Sequence, residues 1–155
     1  MAAELALALV GVGGTIAGTL SAALLQHRAA QAARAADGAQ ERRRELVQAV
    51  THLAKALAAH RRAMYARERL RLTGADDAVR AEARSESHRT RAEITAPLVT
   101  FSVLAPALAE AARGAARASY ALRDAYDQSN LDAARTAAAI LADELVAQAA
   151  AHLAT

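Results

Sequence analysis

The side chains able to do chemistry in this chain are five histidines, scattered serines and threonines, and a large set of arginines. His27, His52, His60, His88 and His152 form neither a His-x-x-x-His nor a Glu-x-x-His pair. Zincin and di-iron carboxylate signatures are therefore absent from the sequence. Glu86-Ser87-His88 brings an acid, a hydroxyl and an imidazole together, but residues two apart on a helix point to different faces. Ser85, Ser87 and Thr90 read as ordinary helix-surface choices, and a catalytic site needs groups that converge in defined roles. The chain has no cysteine, which removes disulfides, zinc thiolates and thiol nucleophiles together. Its Gly-Val-Gly-Gly-Thr cluster at residues 11–15 lacks a Walker lysine and sits inside an apolar run, so it is not a phosphate-binding loop. The expectation is a protein with no enzymatic activity, no metal and no cofactor.

The arginines carry the remaining chemistry. From Arg28 to Leu72 eleven Arg or Lys stand against four Asp or Glu, a net of +7; from Thr73 onward eight stand against eleven, a net of −3. The candidate basic surface consists of Arg28, Arg34, Arg42, Arg43, Arg44, Arg61 and Arg62. Phosphate contacts dominate affinity for nucleic acid, so a nucleic-acid-binding adaptor is the alternative reading of this face. It lacks the interleaved aromatics and the recognition module of such proteins. Arg28 and Arg34 adjoin an uncharged stretch, where attraction to anionic lipid headgroups is the simpler use.

That stretch, Leu5 to Gln26, holds no charge between Glu4 and His27. At ~1.5 Å per residue it is about as long as a ~30 Å hydrocarbon core is thick. Only Met-Ala-Ala-Glu precedes it. Without a positive n-region it reads as an uncleaved anchor, not as a secretory signal. Positive residues lie only on its C-terminal side, which puts the N-terminus outside and the rest of the chain in the cytoplasm. Gly14, Gly18 and Ala22 recur at four-residue intervals. Small residues so spaced let two membrane helices approach closely, so a homo-oligomer is expected.

The elements that position these groups are all helical. Hydrophobic content is 54%, most of it alanine, and aromatics are 3%. Alanine favours helix and buries little area, so slender helical packing follows. Asp37-Gly38 is the expected interruption, with Asp37 placed as a cap. Beyond it Leu46, Val50, Leu53, Leu57, His60 and Met64 alternate spacings of four and three, a heptad seam. His60 lies in that seam and is expected to be a packed, hydrogen-bonded histidine. Gly74 suits a helix C-terminus and Asp76 or Asp77 the next N-cap. A second rhythm runs through Ile94, Leu98, Phe101, Ala105, Leu108, Ala112, Ala115, Ser119, Leu122 and Tyr126. It crosses Pro97 and Pro106, and predicts a nearly colinear pair of helices with its break near Ala105-Pro106. Ser129 with Asp132 resembles a capping box, and the last helix is expected to bury Ala134, Ala138, Leu141 and Leu145. The predicted fold is all-α: a membrane anchor over residues 1–27, then a cytoplasmic domain over 28–155. Its helices fall at about 39–73, 77–104, 106–127 and 131–153. They would form an elongated antiparallel helical hairpin or a three-helix, coiled-coil-like bundle.

The segments His60-Arg-Arg-Ala-Met-Tyr65, Ser87 to Leu98 and Tyr120-Ala-Leu-Arg-Asp124, with Gly-Gly-Thr-Ile-Ala-Gly-Thr-Leu-Ser in the anchor, resemble the small actinomycete KilB-like proteins. These are associated with plasmid transfer and intramycelial spread. The resemblance covers most of the chain and implies a membrane-associated accessory of conjugative spread, harmful to its host when unregulated. The implied partners are membrane lipid, further copies of the chain and a protein of the transfer machinery. The two readings together describe a non-enzymatic, single-pass, membrane-anchored interaction or scaffold protein.

Overall fold

The computed structural model describes residues 2–154, with side chains described from residue 26 onward. Its elements are α1 (Ala2–Leu72), α2 (Asp77–Leu104), a 3₁₀ turn (Pro106–Leu108), α3 (Ala109–Tyr120) and α4 (Gln128–Ala154). The chain divides into two compact units, Met1–Arg42 and Arg43–Thr155.

The first unit lies within α1. The expected interruption at Asp37-Gly38 is absent, because α1 runs through it. A lone glycine costs a helix about 1 kcal/mol relative to alanine, and the good helix formers on both sides outweigh that. Most of the proposed membrane span, with Gly14, Gly18 and Ala22, lies outside the residues whose side chains are described.

In the second unit, α1 ends at a glycine-dependent reversal. Gly74 takes φ +68. The Ala75 N–H donates to Leu70 O at 3.1 Å and the Gly74 N–H to Arg71 O at 3.3 Å. This pair of bonds is a Schellman closure, which satisfies carbonyls the helix end would leave open. Asp76 is the N-cap of α2 but makes no side-chain capping bond. Across the reversal His60 meets Thr90 and Arg67 meets Ser87, so α2 runs antiparallel to α1.

Pro97 lies inside α2, whereas the helix stops before Pro106. Ala105 sits at φ −131 and ψ 71, out of the helical region, as the residue before a proline prefers. The expected position of the break is therefore correct, but the colinear pair is not. The Arg91 guanidinium lies 4.4 Å from the centre of the Tyr120 ring. In one straight helix the two would stand roughly 40 Å apart at ~1.5 Å per residue. The chain folds back at Pro106, and α3 packs against α2.

α4 returns along α1, since Tyr65 bonds Asp132 and Arg61 reaches Ala138 O. The four helices thus alternate in direction. Two apolar clusters run between them. The larger holds Leu53, Leu57, Ile94, Phe101 and Leu145 with Ala112, Ala115 and Ala116 of α3, and the smaller holds Met64, Leu122, Leu131 and Ala138. Each fully buried large side chain contributes about 1.5–3 kcal/mol. Two expected core positions face outward: Tyr126 is 79% and Leu141 40% exposed. α3 closes at Tyr120, so the stripe ends before Tyr126. In α4 both the Leu141 and the Ala142 registers are apolar, and the chain turns Ala142 inward. Alanine there suits a close approach to α3, with which α4 is in contact.

Candidate functional site

The basic surface read from the sequence is distributed over both units. Arg28, Arg34, Arg42, Arg43, Arg44 and Arg62 are exposed. Arg61 is half-buried and points its Nη1 at Ala138 O, 3.5 Å away. That residue is partly used in fixing α4 to α1.

The groups that do converge lie between α1, α2 and α3. His60 is 1% exposed. Its Nδ1 is 3.1 Å from Thr90 Oγ1, which itself donates to Glu86 O at 3.0 Å. Thr90 thus accepts from the ring, which assigns the hydrogen to Nδ1. The Tyr120 ring meets the imidazole edge-on at 5.4 Å, and the Arg91 guanidinium lies over the face of the same ring. Burial pulls the His60 pKa down to about 4; the Arg91 charge adds to this, a backbone hydrogen bond at Ser87 opposes it, and Arg67 lowers it further. The imidazole is neutral at physiological pH. This is the packed, hydrogen-bonded histidine that its place in the seam predicts.

About two turns further along α1, Glu68 is completely buried. Arg71 Nε donates to its Oε2 at 2.7 Å, and Arg67 Nε is 3.5 Å from its Oε1. Arg67 also donates to Ser87 Oγ at 3.3 Å, and Arg71 to Ala125 O. A buried carboxylate is expensive unless paired; here Arg71 supplies the hydrogen bond to Oε2, while Oε1 has only the Arg67 charge near it and no hydrogen-bond partner. Sequence reading missed Glu68. Spacing gave little signal, because strict four-three alternation past Met64 lands on Arg67 and Glu68 stands one residue beyond it, between two arginines. Among the described residues no three His, Asp or Glu side chains form a metal-binding group.

The described surface also carries apolar features. Val99 and Val103 are 57% and 71% exposed. They line a groove of about 520 Å³ between α1 and α2, with Ala49 and Leu104 at its floor and Glu45 and His52 on its wall. On α4, Ile140, Leu141 and Val146 face out. Among the residues whose side chains are described, α4 is long and apolar enough to cross a membrane, yet Leu131, Ala138, Ala142, Leu145 and Ala149 bury its other face in the unit.

Residues 47–153 match the family described as KilB plasmid transfer protein. Protein KilB of Streptomyces lividans is 55% identical over 142 residues, which cover 92% of this chain and 94% of that protein. No solved structure matches. The family match takes in the His60 cluster, Glu68, Val99 and Val103.

Proposed function

Because this chain belongs to the KilB plasmid transfer protein family, we propose that it is a non-catalytic, single-pass membrane protein whose helical domain docks a protein of the plasmid transfer machinery. The observation that carries this reading is the groove beside Val99 and Val103. Soluble surfaces seldom leave apolar side chains so exposed along a cleft without a partner to cover them. The uncharged run before His27 supplies the anchor, and Arg28 and Arg34 sit where headgroup contact favours arginine. Gly14, Gly18 and Ala22 supply the face for self-association. The helices that follow would act as an antiparallel, coiled-coil-like bundle held by the Leu53–Leu57 seam.

The test is plasmid transfer between mycelia carrying Val99→Asp and Val103→Asp together. Both side chains are exposed, so the fold tolerates the charges. Transfer should drop at unchanged protein level; undiminished transfer would remove the groove from the account. The exposed arginines also suit a membrane-tethered nucleic-acid adaptor. A gel-shift titration with salt separates the two readings, since such an adaptor must retard DNA at low salt and release it steeply as salt rises.

A further inference from the structure

The reversal at Gly74 does more than join two helices. It brings the last turns of α1 against the first turns of α2, and four arginines meet there. Arg67 and Arg71 come from one side, Arg80 and Arg84 from the other, and together they line a cleft of about 120 Å³. At ~30 Å³ per water molecule, that space corresponds to roughly four waters, enough for one tetrahedral oxyanion.

Two of the four guanidiniums are braced. Glu68, completely buried, accepts from Arg71 Nε at 2.7 Å, and Arg67 Nε lies 3.5 Å from its Oε1, which has no hydrogen-bond partner. Ser87 Oγ and Ala125 O accept from their far ends. The third, Arg80, donates from Nη2 to Asp77, but its Nε is buried with no hydrogen-bond partner. The Arg80 side chain is otherwise 40% exposed at the cleft, and an unmatched donor favours an acceptor that enters beside it. The fourth, Arg84, forms no ion pair with a described residue and is exposed. The carboxylates paired with this group are Glu68 and Asp77, so four positive charges face two negative ones. Arginine forks match the oxygens of a phosphate two at a time.

We propose that the cleft between Arg67, Arg71, Arg80 and Arg84 binds a phosphate group. Its chemistry is that of a phosphate monoester or free phosphate, with Arg71 oriented by Glu68 and Arg67 by Ser87. The site is independent of the docking groove and does not rest on the function proposed above.

The experiment titrates full-length protein in detergent with inorganic phosphate, matching ionic strength with chloride, and reads thermal unfolding and binding heat. Phosphate should raise the unfolding midpoint above the chloride control. Arg84→Gln should weaken binding about tenfold while leaving the unliganded midpoint unchanged, because the one contact Arg84 makes among the described residues, accepting from Ser87 Oγ, uses its backbone carbonyl. Arg80→Gln should weaken it similarly. Dihexanoyl phosphatidic acid and dihexanoyl phosphatidylcholine identify the source. Tighter binding of the first than of inorganic phosphate marks a lipid headgroup; equal or weaker binding marks a soluble phosphate. No midpoint shift over chloride, or a shift that survives both substitutions, overturns the proposal.

Discussion

His60 sits on a stripe of leucines and keeps a single hydroxyl partner, Thr90, in a buried place. Its folded pKa, about 4, lies below the ordinary value of 6.5. Between those values the unfolded chain binds a proton that the folded chain refuses, so stability falls as pH drops from about 6.5 toward 4. The same pair of values makes the loss between pH 7 and pH 5 about 2 kcal/mol. Urea unfolding of His60→Asn at the two pH values checks this: the variant should lose that much less on acidification than the parent. Spacing alone predicts the packing of His60. It does not predict Glu68, because strict four-three alternation lands on Arg67 and the carboxylate stands one residue beyond it.

At the scale of elements, the two prolines behave differently for a reason that periodicity cannot show. Pro97 lies inside α2, while Pro106 ends that helix and opens the 3₁₀ turn that precedes α3. The buried stripe from Ile94 to Leu122 is unbroken in either case, since a helix that continues and a helix that folds back can bury the same residues against one core. The reversal at Gly74 is legible because glycine marks it, and the one at Pro106 only as a break. The start of α4 is shifted too. The Asn130 N–H donates to Asp127 Oδ1 at 2.7 Å, so Asp127 does the capping and the Ser129–Asp132 box does not form. Asp132 instead accepts from Tyr65 and Gln128, tying α4 to α1. Asp127→Ala should cost about 1 kcal/mol and Ser129→Ala close to nothing, compared by the midpoints of urea unfolding.

For the whole molecule, alanine-rich helices, the α1 seam, the all-α class and the family were readable from residue order. The direction of α3 and the inward face of α4 were not, because alanine on all sides of a helix leaves several registers equally apolar. Apolar content also makes α4 resemble a membrane span by composition, although five of its residues are packed in the second unit. The anchor proposed for this protein is at the other end, before His27. Since the chain has no cysteine, a single introduced one reports its own side of the membrane. The direct measurement is labelling of Ala3→Cys and Ser129→Cys with a membrane-impermeant maleimide, alongside a carbonate wash of the membranes. The account predicts that the protein stays with the washed membranes, that Ala3→Cys labels in intact cells, and that Ser129→Cys labels only after permeabilisation. Release by carbonate, or labelling of Ser129→Cys in intact cells, would contradict it.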